Sequence, residues 1–125
     1  MSNEKKLSYT IYNTYSTLNE KTSRTKTVWL VFHGIGYLSR YFLKYFKHLD
    51  PEENYIIAPQ AQSKYYLNGE YRHVGASWLT KENLDMEIEN VLNYLDAVYK
   101  VENLAEAPNL NILGYSQGFL LLQDS

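Results

Sequence analysis

The stretch N-L-N-I-L-G-Y-S-Q-G, Asn109 to Gly118, decides how the rest of the chain is read. Leu110, Ile112 and Leu113 form a short apolar run that meets Gly114. A G-x-S-x-G pattern follows: Gly114, Tyr115, Ser116, Gln117 and Gly118. Its physical reading is a strand that ends in a turn too sharp for ordinary side chains, then a helix, with the serine at the apex. Glycine at both flanks is what such a turn requires, since a Cβ at either place would crowd the neighbouring backbone. The Ser116 hydroxyl is then expected to stand clear of the sheet. The free N–H of Gln117, at the positive end of the helix, can stabilise developing negative charge.

A second glycine turn lies upstream. Thr27 to Phe32, T-V-W-L-V-F, is a continuous apolar, β-rich run and predicts a strand buried on both faces. It runs into His33-Gly34-Ile35-Gly36. In open α/β sheets ligands sit beyond the carboxyl ends of the strands, which is where both glycine turns are expected.

Outward from these two turns the elements alternate. Leu7 to Thr14 has strand periodicity, with Leu7, Tyr9 and Ile11 on one face. Leu38 to Leu49 has helix spacing through Tyr41, Phe42, Tyr45 and Phe46, with Arg40, Lys44 and Lys47 opposite. Asp50-Pro51 stops it. Tyr55 to Ala58 predicts a short strand closed by Pro59. Gln60 to Thr80 is a long stretch without a clear period, and its Tyr65, Tyr66, Tyr71 and Trp78 suggest an ordered, functional loop. Thr80 is the expected N-cap of a helix from Lys81 to Val101, whose apolar stripe runs from Leu84 to Tyr99. Strand, helix, strand, helix, strand predicts a mostly parallel sheet with helices on both faces, the Thr27, Tyr55 and Leu110 strands running the same way.

Composition sets bounds. With 125 residues the chain is at most one domain, and its formal charge of −2 gives no sign of nucleic acid as a partner. There is no cysteine, which removes disulfides, thiolate metal sites and redox pairs. The polar start M-S-N-E-K-K has no apolar run behind it, and no stretch is long and apolar enough for a membrane span. A soluble cytoplasmic protein with no membrane partner is the expectation.

H-G-I-G after a strand, P-Q-A at Pro59 to Ala61, S-W-L at Ser77 to Leu79, and G-Y-S-Q-G together resemble the phospholipase/carboxylesterase family of α/β-hydrolases, the acyl-protein thioesterase relatives. The likeness runs from about Thr27 to Gly118. It implies that Ser116 is the nucleophile and that the amides of Ile35 and Gln117 are the oxyanion-hole donors. It makes His33, Gly34, Gly36, Gly114 and Gly118 structural parts of the two turns. It also implies that the Gln60–Trp78 segment borders an acyl pocket, with Tyr65, Tyr66 and Trp78 meeting substrate. The implied substrate is a small-molecule carboxylic ester or thioester, with no cofactor and no metal.

One departure matters. The triad in this fold runs Ser, then Asp or Glu, then His. Only Asp124 follows Ser116, and His33, His48 and His73 all precede it. His33 reads as orienting its turn, His48 as solvated, and His73 as lying in the long loop. The tail F-L-L-L-Q-D-S is bulky where small residues would pack on a sheet, and a one-base shift of a suitable coding stretch gives V-S-T-A-T-R-F. The expectation is therefore the N-terminal part of a single α/β-hydrolase domain, truncated or frameshifted, without its C-terminal strands and inactive by itself. The alternative is a non-catalytic, hydrolase-like protein that binds a ligand or partner. A dinucleotide fold built on His33–Gly36 fails, because the third glycine of that fingerprint is absent.

Overall fold

The computed structural model describes residues 1–114. Within them lie β1 (Tyr15–Leu18), β2 (Thr27–Phe32), α1 (Ser39–Phe42) running into a 3₁₀ segment (Leu43–Phe46), and β3 (Asn54–Pro59). Then follow β4 (Ser63–Tyr66), β5 (Val74–Ser77), α2 (Leu84–Val101) and β6 (Leu110–Gly114). The main sheet has the order β1-β3-β2-β6, and β4-β5 is a separate two-stranded sheet. β2 is parallel to both β3 and β6, while β1 is antiparallel to β3. The protein is thus mixed α/β with a mostly parallel main sheet, as the alternating pattern predicts.

The apolar run of β2 is buried because both of its faces are covered. Val31 joins Ile56, Ala58, Phe42, Leu43 and Phe46 under α1 and its 3₁₀ extension. Val28 joins Tyr55, Ile57, Val98 and Leu104 under α2 on the other face. Alternate residues of one strand therefore feed two separate cores, which is the period-two rule applied to a central strand. No helix among the described residues is long and apolar enough to cross a membrane.

Four expectations are corrected. The strand expected over Leu7–Thr14 is absent, and β1 begins at Tyr15. Tyr15 pairs with Pro59, so anything earlier would need a partner beyond the end of β3. There the chain turns away, and the Asn13 side chain donates to the Gln60 carbonyl at 3.0 Å. Leu7, Tyr9 and Ile11 are left exposed. The helix expected over Leu38–Leu49 is a single α turn that tightens into 3₁₀. Leu43, Phe46 and Leu49 recur every three residues and pack on one core, which fits three residues per turn.

The stretch without a clear period contains the β4–β5 hairpin, hidden because β4 is mostly exposed and β5 is mostly Gly, Ala and Ser. Thr80 does not cap α2. Asn83, at φ 54°, occupies the cap position without a side-chain bond, while Thr80 N–H donates to Glu87 Oε2 at 2.6 Å. The elbow expected at Tyr115 to Gly118 lies outside the described residues.

Candidate functional site

β2 and β6 are parallel neighbours with Phe32 opposite Gly114. Both strands therefore reach the same edge of the sheet at the same level. His33–Gly36 leaves that edge from β2, and Gly114, the first residue of G-Y-S-Q-G, ends β6 beside it.

The His33–Gly36 turn is held on every side. His33 is fully buried. Its Nε2 accepts from the Ala61 N–H at 3.0 Å, which leaves Nδ1 protonated to donate to the Gly34 carbonyl at 2.8 Å. Burial disfavours the charged ring and lowers the His33 pKa, and the bond to the Gly34 carbonyl pulls weakly the other way. A neutral ring with both nitrogens engaged is a brace for the turn.

Trp78 completes that brace. Its indole stacks on the His33 ring at a centroid distance of 5.0 Å, and Nε1–H donates to the His33 carbonyl at 2.8 Å. Phe32 meets the same indole edge-on at 5.6 Å. With 1% of its surface exposed, Trp78 packs behind the turn. Its contribution is to fix the carbonyl and ring of His33.

β5 clamps the far end of the turn. The Gly36 N–H donates to the Ala76 carbonyl at 3.0 Å, and Tyr37 bridges to Ala76. Gly36 has φ +86°, which a residue with a side chain rarely adopts. Gly75 lies so close that a Cβ there would meet the Gly36 carbonyl oxygen at 2.6 Å. Sequence reading missed this dependence on Gly75. Its only signal was a V-G-A-S run of small residues directly before Trp78.

Ile35, at the tip, differs from its neighbours. It is half exposed, and among the described residues its N–H has no hydrogen-bond acceptor. Tyr65 reaches the turn: its hydroxyl would lie 3.7 Å from a Cβ at Gly36. Tyr66 is exposed and meets Tyr71 edge-on at 5.1 Å. The structure thus brings His33, Gly34, Ile35, Gly36, Tyr65 and Trp78 together and sets Gly114 on the adjoining strand. His48 and His73 are both exposed, and the His73 carbonyl accepts from the Leu67 N–H at 2.8 Å. Ser116, Gln117 and Gly118 lie outside the described residues. Comparison with known proteins finds neither a family model nor a curated protein that matches the chain.

Proposed function

We propose that this chain carries the nucleophile half of a serine hydrolase of the α/β-hydrolase fold, acting on carboxylic esters or thioesters. One observation supports the reading above the others. Gly114 stands opposite Phe32 on a parallel neighbour, so G-Y-S-Q-G starts level with the turn whose Ile35 amide has no acceptor among the described residues. In the proposed reaction the Ser116 oxygen attacks the acyl carbon, and the carbonyl oxygen takes up the negative charge. The N–H groups of Ile35 and Gln117 donate to that oxyanion. Collapse breaks the bond to the alcohol or thiol and leaves an acyl-enzyme, which water then cleaves.

No base is assigned among these residues. His33 is neutral and fully engaged in bracing its turn, which supports assigning it no proton transfer. These 125 residues hold no histidine after Ser116. A serine without a base is a poor nucleophile, because general-base help contributes about 10²–10⁴-fold. The 125-residue polypeptide is therefore expected to be inactive, and a polypeptide that continues with an acid and a histidine in that order is expected to be an esterase. Both are assayed with a short-chain activated ester, each beside its Ser116→Ala variant. Activity of the longer form that vanishes with the serine supports the reading. An inactive longer form would favour a binding role, and serine-dependent turnover by the 125-residue form would overturn the account of the base.

A further inference from the structure

Beside the braced turn, on the sheet-edge side of α1, is a cavity of about 300 Å³. Its charged lining is Arg40 and Lys64, and no carboxylate lines it. Its polar walls include Thr14, Ser16, Ser39 and Gln60. Two other charged cavities among the described residues are different. One pairs Arg24 and Lys26 with Asp50, Glu52 and Glu53, and one sets Lys5 and Lys6 against Glu4, Asp85 and Glu89. In those two, carboxylates balance the cations. The chain as a whole is net negative, so a two-cation cavity without an acid runs against its composition.

The polar base of this cavity is rigid. Ser39 and Gln60 are buried, at 2% and 3% exposure. Gln60 Oε1 accepts from the Ser39 N–H at 2.9 Å, and Gln60 Nε2 donates to the Ala61 carbonyl at 2.9 Å. The hydroxyls of Ser16 and Ser39 lie 3.1 Å apart, so one hydrogen is shared between them and the second is available to an occupant. Among the described residues neither Arg40 nor Lys64 has a carboxylate within ion-pair distance. Arg40 instead lies over the Tyr41 ring, 4.2 Å from its centroid.

We propose that this cavity binds a phosphate group. A guanidinium offers a planar fork of donors that matches phosphate oxygens, an ammonium adds a point charge, and hydroxyl donors complete the set. The group is either a free phosphate or phosphate monoester, or the monoester headgroup of a lipid. This binding needs neither Ser116 nor any hydrolytic activity, so it stands or falls apart from the proposed reaction.

The test is calorimetric titration of the 125-residue chain with inorganic phosphate at constant ionic strength, with amide shifts of Ser39 and Lys64 followed by NMR. A parallel arm measures co-sedimentation with phosphatidic acid vesicles against phosphatidylcholine vesicles. Arg40→Gln and Lys64→Gln change exposed side chains, and Lys47→Gln serves as the control for general charge. The expected result is saturable binding in at least one arm, weakened about tenfold or more by either cavity substitution and unchanged by Lys47→Gln. Phosphate binding supports a free ligand, and vesicle binding alone supports a lipid headgroup at the same cavity. Binding in neither arm, or binding that all three substitutions weaken equally, overturns the proposal.

Discussion

The His33–Gly36 turn and the N-terminal segment 1–14 are both short stretches outside the sheet, and they are held in opposite ways. The turn is gripped from two distant parts of the chain: by Ala61, and by the run from Gly75 and Ala76 to Trp78. The segment has an alternating apolar pattern, yet Leu7, Tyr9 and Tyr12 stay more than two-thirds exposed. A periodic pattern gives a segment a face to bury. Only a partner in register buries it. The turn has no period, but its glycines and its histidine match what surrounds them, and that fixes it.

The contrast predicts unequal costs. Trp78→Ala removes a buried indole, its bond to the His33 carbonyl and the stack on the ring, and should cost about 4 kcal/mol in urea unfolding. Gly75→Ala drives a Cβ to 2.6 Å from the Gly36 oxygen, against backbone that cannot swing aside, and should cost about 3 kcal/mol. Gly69→Ala is the control for conformation alone. Gly69 has φ +68° with nothing within 4 Å, so its cost should be about 1–2 kcal/mol. Deleting residues 1–12 should change stability by less than about 1 kcal/mol, because it removes exposed side chains and the Lys6–Glu89 pair at 3.9 Å. A deletion as damaging as Gly75→Ala would break the comparison.

A pH series sharpens it. The folded His33 pKa lies below its ordinary value, near 6.5, because burial disfavours the charged ring. Between those two values the unfolded chain binds the extra proton, so stability rises with pH across that window. The contribution is complete above about pH 6.5 and declines as pH falls toward the folded pKa. His33→Phe should lose about 2 kcal/mol at pH 7.5 by stranding the Ala61 N–H. Its loss relative to the parent should shrink as pH falls through the window. A constant difference from pH 7.5 to pH 5 would contradict the neutral, bracing histidine.

Much of the fold was legible for a simple reason. β2 and β6 are apolar runs in a sheet, and β2 is covered on both faces, so their composition alone marks them, and β2 has the predicted bounds of Thr27 and Phe32. α2 carries a stripe long enough to average out local exceptions, and its end at Val101 was readable. β1 was misplaced because its start is set by where β3 ends, a fact about another segment. The β4–β5 hairpin was missed because β5 contributes small residues, whose value is close approach to Gly36. Gly34, Gly36 and Gly114 were expected at one end of the sheet, and the pairing of Phe32 with Gly114 puts them at one end. The place of Trp78 did not show in sequence, since an aromatic near a pocket and one behind its wall read alike.

The proposed function rests on one geometric expectation, that Ser116 stands beside Ile35. The chain has no cysteine, so engineered ones are unique labelling sites. Spin labels at Ile35→Cys and Ser116→Cys should give a short distance. Labels at Lys26→Cys and Ser116→Cys should be further apart by about the length of β2, roughly 20 Å for its six residues. Equal distances for the two pairs, or a longer one for the Ile35 pair, would contradict the account.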